Sequence, residues 1–214
     1  MNIDHIFIFT DDNGSIADEL ADLGLTEGGS RNHEGQGTAN RTFVFENFYL
    51  EILWVRDEQE IKSNKILPTG LHTRAGLGTT PASPFGLCIE NTDETEALFK
   101  NAFPYQPDYF PQGKTIDILN REHNLYLPWT FRLPFKRNRQ GLPAPVSHNT
   151  GMSVLTEAVF YYPAADDQGF LDHFTGQKAI RFQKADNTGL TLTFDKGRQG
   201  LTNKLDALQL TILY

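Results

Sequence analysis

The stretch IDHIFIFTDD, residues 3–12, decides how the chain is read. It is dense in β-branched and aromatic residues and ends in a polar turn, the pattern of a strand running into a loop. Side chains alternate between faces along a strand. His5, Phe7 and Phe9 therefore share one face, and Ile6 and Ile8 share the other. A histidine beside two phenylalanines has two readings. It is a half-wetted residue at a strand end, or it is a ligand or proton carrier at the mouth of a sheet.

The pattern continues outward from this strand. In NGSIADELADLGL, residues 13–25, Ser15 is placed to cap a helix, with Asp18 three positions on. Ile16, Leu20 and Leu23 form its apolar stripe, and Gly24 stops it. A loop or strand, TEGGSRNHEGQGTAN, precedes two strands, RTFVFE and FYLEILWV, around a tight turn at Glu46-Asn47. The order strand, helix, strands then recurs. It begins again at FGLCIENTDETEALFKNAF, residues 85–103, with Thr92 or Asp93 as the cap, and once more at LTEAVFYYPAADDQGFLDHFTG, residues 155–176. Recurrence of one motion along a chain sets its architecture. The chain divides into a first segment, 1–60, a linker and partial middle copy with a long loop, 61–146, and a last copy, 147–214.

Composition narrows the class. The 214 residues suffice for one domain or two small ones. Apolar residues are 39% and charged residues 21%, which indicates a globular protein. The 16 Phe and 7 Tyr favour an aromatic core or pocket. A formal charge of -8 with no long basic run argues against nucleic acid and anionic membrane as partners. The one cysteine, Cys88, leaves no internal disulfide and fits a reducing compartment. It lies in an apolar run and reads as core. No signal-peptide pattern and no membrane-length apolar run are visible, so the expectation is a soluble, cytoplasmic protein.

DHIFIF at the start, followed about 45 residues later by YLEIL, resembles the vicinal-oxygen-chelate superfamily of glyoxalases, extradiol dioxygenases and bleomycin-resistance proteins. HEGQGTANRTFVFENFYLEIL, residues 33–53, is similar to its bacterial glyoxalase-like subfamily, and SHNTGM, residues 147–152, resembles a later His-Asn-Gly segment with Thr150 interposed. The resemblance covers residues 3–55 well and 147–214 less closely. It implies an α+β fold of repeated βαβββ modules, whose curved mixed β-sheets form a glyoxalase-like cup. It also implies a small-molecule substrate or ligand, and a homodimer is a partner that the superfamily allows.

In the superfamily, metal ligands come from the first and last strands of modules. His5 and Glu51 fall on those positions. Matching the last copy to the first puts Glu157 opposite His5 and Gln209 opposite Glu51. The resemblance thus implies a site of His5, Glu51 and Glu157, with Gln209 as a fourth ligand. Imidazole and carboxylate suit Zn, Ni, Mn or Fe(II). Such an ion polarises a carbonyl or enediolate oxygen while Glu51 or Glu157 moves a proton on the adjacent carbon. This gives a metal-dependent isomerase or lyase on a small oxygenated substrate. An extradiol-type dioxygenase requires two His and one carboxylate and ranks lower, with only His5 in a first-strand position. A non-catalytic protein that holds a small molecule in an aromatic cup is the other alternative.

HEGQGTAN is either a flexible hairpin or a rim that presents His33, Thr38, Asn40 and Arg41 to an oxygen-rich ligand. His148 and Asn149 in the long loop, residues 131–151, have the same two readings. Arg41, Arg132, Lys136, Arg137 and Arg139 read mainly as a solvated face. One of them could hold a substrate carboxylate in the forked geometry of arginine.

Overall fold

The computed structural model of the protein describes residues 1–76, 79–119, 123–136, 147–164 and 167–214. Its first stretch runs β1 (Ile3–Thr10), α1 (Ala17–Asp22), β2 (Gly29–His33), β3 (Thr38–Val44) and β4 (Tyr49–Val55). Two short helices, α2 (Glu58–Ile61) and α3 (Leu71–Ala75), lead to the middle stretch. This comprises β5 (Phe85–Ile89), α4 (Glu96–Phe99), β6 (Phe103–Tyr105), β7 (Ile116–Ile118) and β8 (Trp129–Arg132). The last stretch holds β9 (Leu155–Tyr162), α5 (Gln168–Asp172), β10 (Ile180–Lys184), β11 (Gly189–Phe194), β12 (Thr202–Leu205) and β13 (Leu210–Leu213).

The turn into α1 is built by Asp12 rather than Ser15. Its carboxylate accepts from the Gly14 and Ile16 amides and from the Ser15 hydroxyl. Asp offers two acceptor oxygens where Ser has one, so it can bind a whole turn of donors. Gly24, at φ 102°, ends the helix as expected. The β3–β4 turn closes where the sequence places it, with the Phe45 amide donating to the Phe48 carbonyl at 2.9 Å.

The strands form two mixed sheets. The first has eight, in the order β2-β3-β4-β1-β5-β8-β7-β6, and the second has five, in the order β10-β9-β11-β13-β12. In the first sheet β1 runs parallel to β4, β5 parallel to β8, and β1 antiparallel to β5 at the centre. The first stretch is thus completed by the middle one, not by the last. A central strand is covered on both faces, and every residue of β5 is buried. Arg181, Gln183 and Lys184 of β10 are exposed, which suits the edge of a separate sheet. The last stretch also differs in topology. β9 pairs with β10 and β11, whereas β1 pairs with β4.

Two apolar clusters follow from alternation in β1 and β4. Ile6, Ile8, Leu50 and Ile52 point to one side and pack with Phe160, Leu192 and Ile212 of the second sheet. Phe7, Phe9 and Leu53 point to the other, with Cys88, Trp129 and Phe131. The second group lines the concave side of the first sheet. Among the described residues no helix is long and apolar enough to cross a membrane.

Gly86 lets the two halves meet. A Cβ at this position would lie 2.0 Å from a ring carbon of Phe7. Only glycine allows the Phe7 ring to lie across β5. Gly86→Ala is expected to cost about 1–3 kcal/mol in chemical denaturation, through forced displacement of that ring. Unchanged stability would contradict this packing.

Candidate functional site

The concave face is assembled by register. His5 lies opposite Tyr49 and Phe7 opposite Glu51 in the β1–β4 pair. Thr42 lies opposite Glu51 in β3–β4, and in β2–β3 Arg31 faces Asn40 and His33 faces Thr38. Alternation then aims His5, His33, Asn40 and Glu51 into one cavity of about 670 Å³. Phe7, Trp129 and Phe131 provide apolar walls.

Glu51 is 5% exposed, a costly place for a carboxylate without partners. It has three. Oε1 accepts from Asn40 Nδ2. Oε2 lies 3.8 Å from His5 Nε2, and Oε1 lies 3.9 Å from His33 Nε2. These two separations exceed a hydrogen bond. Each is within the span of about 4.2 Å that two ligands about 2.1 Å from one metal can bridge, while the three groups together are not gathered within 4.8 Å of one another as Asp4, His5 and Cys88 are.

Both imidazoles are held from behind. His5 Nδ1 meets Asp4 Oδ1 at 2.7 Å, and the ring stacks on Tyr49 with centroids 4.4 Å apart. His33 Nδ1 meets Thr38 Oγ1 at 2.9 Å. Thr38 Oγ1 also accepts from Gln36 Nε2 at 2.9 Å, and Gln36 Oε1 accepts from the Tyr109 hydroxyl at 2.8 Å. A hydrogen bond at one ring nitrogen orients the other.

Burial holds the His33 imidazole below the ordinary histidine range. Glu51 opposes that shift, while Arg31 and His5 add to it. Burial, then the Glu51 charge, pushes the Tyr49 hydroxyl well above the usual tyrosine value. Tyr109 is raised too, mainly by burial. Both phenols therefore remain hydroxyl donors at neutral pH.

A second donor group shares His5. One ligand atom each from Asp4, His5 and Cys88 lies within 4.8 Å of the others. Cys88 is fully buried in the aromatic cluster, as its apolar flanks suggest.

The expected residues are thus divided. His5, Glu51, His33 and Asn40 come together, and Thr38 braces His33. Arg41 sits between Asn40 and Thr42 on β3 and faces the opposite side, where it pairs with Asp18 at 2.8 Å and Glu27 at 2.7 Å. The matching of Glu157 to His5 and of Gln209 to Glu51 does not hold in this fold, because the last stretch builds its own sheet. Glu157 pairs with Arg181 at 3.1 Å, and Gln209 accepts from the Thr188 hydroxyl at 2.7 Å beside a different cleft. His148 and Asn149 serve the chain path instead of the cup. His148 Nδ1 accepts from the Thr26 amide at 3.0 Å, its ring packs 4.3 Å from Phe45, and the Asn149 amide donates to the Gly24 carbonyl at 2.9 Å. Arg132 is taken by Asp117 and Glu96, and Lys136 by Asp93. Arg137 and Arg139 lie outside the described residues. Asp4, Gln36, Tyr109 and Arg31 are additions from the structure. Arg31 could have been found two positions before His33 on the same face.

A family model described as a glyoxalase-like domain matches residues 3–117, more than half of the chain and all of the residues around Glu51. The chain belongs to the glyoxalase-like domain family. This places it in the vicinal-oxygen-chelate superfamily, as the first strand and YLEIL imply. The match takes in much of the middle stretch and leaves out residues 147–214. Among solved structures, a hypothetical protein from Staphylococcus aureus is similar over 99% of this chain and 97% of its own, with 11% identity and a TM-score of 0.62. The glyoxalase-like chain also matches methylmalonyl-CoA epimerase in complex with methylmalonyl-CoA and NH4+, at 15% identity over 62% of this chain and 92% of that one, TM-score 0.40. A hypothetical protein from Bacillus halodurans C-125 gives 14% identity, 64% and 96% coverage, and a TM-score of 0.39. A search of curated proteins found no match.

Burial also holds His148 below the ordinary histidine range, and the nearby Val44 backbone partly offsets this. The unfolded chain therefore binds more protons than the native one between about pH 6.5 and the lower native value. Stability is complete above that window and falls as pH drops through it. His33 contributes with the same sign. Thermal melts should show a lower Tm at pH 5.5 than at pH 7.5, with a shallower slope in His148→Asn, which retains an acceptor for Thr26. An identical slope in the variant would contradict the assignment.

Proposed function

We propose that this glyoxalase-like protein is a metal-dependent enzyme of isomerase or lyase type, acting in its cup on a small oxygenated substrate. His5, His33 and Glu51 hold the ion. The observation that carries this reading is the convergence of two imidazole Nε2 atoms on one buried carboxylate, at 3.8 and 3.9 Å, with each Nδ1 already engaged. Imidazole and carboxylate donors suit Zn, Ni, Mn or Fe(II), and outer hydrogen bonds like those from Asp4 and Thr38 orient such ligands. The Asp4, His5 and Cys88 group is the weaker candidate. Asp4 already occupies His5 Nδ1, and Cys88 is packed in the aromatic cluster and does not line the cup.

When bound, a divalent ion would polarise a substrate carbonyl or enediolate oxygen. The protein's own groups do the remainder. Asn40 Nδ2 holds Glu51 in place, so that a Glu51 oxygen can accept a proton from the neighbouring carbon. Phe7, Trp129 and Phe131 exclude water and present flat faces to the substrate. An extradiol-type dioxygenase becomes the second reading, favoured by the arrival of His33. Two His and one carboxylate are the set used by non-haem Fe(II) oxygenases.

Metal analysis of tag-free protein, prepared without chelator, tests the proposal. About one divalent ion per chain is expected. Folded His5→Ala, His33→Ala and Glu51→Ala variants should lose it, and Cys88→Ala should retain it. Iron in the wild type would direct assays to O2-dependent ring cleavage, while Zn, Ni or Mn would direct them to proton-transfer chemistry. No metal after incubation with all four ions, or loss in Cys88→Ala with retention in the His33 variant, would overturn the proposal. The cup would then be assigned to ligand binding alone.

A further inference from the structure

The described basic side chains that the sequence offers for a substrate carboxylate are occupied. Arg41, Arg132 and Lys136 each pair with carboxylates. Arg31 lines the cavity and forms no ion pair among the described residues. Its guanidinium carbon sits 5.0 Å over the Tyr109 ring, whose hydroxyl is tied to Gln36. That contact orients the planar fork without using its hydrogen-bond donors.

Directly opposite Arg31, across the β2–β3 pair, stands Asn40. Opposed residues of antiparallel strands share a face, with Cβ atoms about 5 Å apart. Asn40 is 6% exposed. Its Nδ2 must be the atom that meets Glu51, since a carboxylate accepts and cannot pair with the amide oxygen. Oδ1 is therefore set as an acceptor. It is buried at the cavity without a hydrogen-bond partner among the described residues. A buried acceptor of this kind calls for a donor that the described residues do not supply, such as an ordered water or a ligand hydroxyl.

We propose that the cup selects hydroxy acids, with the substrate carboxylate held by Arg31 and its hydroxyl donating to Asn40 Oδ1 beside Glu51. This inference rests on the proposed function for the use of the site, and it adds the substrate class. The aromatic walls accommodate an apolar or aryl remainder. The fork on Arg31 gives two parallel hydrogen bonds to a carboxylate, which an ester or amide cannot replace.

Isothermal titration with mandelate, mandelamide and phenylacetate tests the inference, with metal content measured on the same samples. Wild type should bind mandelate at least about tenfold more tightly than mandelamide, a charge-assisted bidentate pair against a neutral one. Arg31→Met should abolish that preference while retaining the metal, and Arg31→Lys should restore only part of it. Asn40→Ala should lose the preference of mandelate over phenylacetate and keep the preference for acid over amide. Equal affinity for acid and amide in the wild type, survival of the preference in Arg31→Met, or no binding of any probe would overturn the inference. A metal-free wild type with an Arg31-dependent acid preference would uphold this inference and remove the metal centre.

Discussion

The parallel pairing of β1 with β4 is the constraint on which the rest depends. It sets His5 beside Tyr49 and Phe7 beside Glu51, all on the concave face. The opposite face of the same two strands carries Ile6, Ile8, Leu50 and Ile52, each no more than 1% exposed. A one-residue slip would exchange the faces of a strand. Burial of each such side chain contributes about 1.5–3 kcal/mol. A slip would thus forfeit an amount comparable to the stability of a whole domain, about 5–15 kcal/mol. The packed face enforces the register, and the register delivers the polar groups to the cup.

The cup itself combines opposing tendencies. An aromatic floor lowers the local dielectric, which makes the buried Glu51 costly. Asn40, His5 and His33 compensate it, and each of these is supported by a further side chain or strand. The Thr38–Gln36–Tyr109 chain reaches from the first stretch to the loop before β7, so His33 is steadied by both halves of the sheet. Pairing of β1 with β5 therefore bears on the site as well as on the fold. The second sheet supports the arrangement from the packed side and contributes none of the groups around Glu51.

Much of the first stretch was legible because its signals are local. Alternation in IDHIFIFT and YLEILWV gives the faces of His5 and Glu51, and Gly24 ends α1 as written. The same rule, applied to TANRTFV, separates Asn40 from Arg41 and, applied to GSRNH, joins Arg31 to His33. What the chain does not declare locally is which of two similar stretches completes the sheet. That choice is settled by contacts far apart in sequence, such as the Phe7 ring over Gly86. Matching the last copy to the first led to Glu157 and Gln209, which lie in a sheet of different topology. His148 resembled a site residue for a related reason. A buried histidine that accepts from a distant amide looks, in sequence, like one that binds a ligand.

The most direct measurement is anomalous diffraction at the metal edge, from crystals of the protein grown with Zn(II). One strong peak is expected within about 2.0–2.3 Å of His5 Nε2, His33 Nε2 and a Glu51 oxygen, the ordinary zinc bond lengths. A peak between Asp4 and Cys88, or none in the cup at full zinc loading, would contradict it.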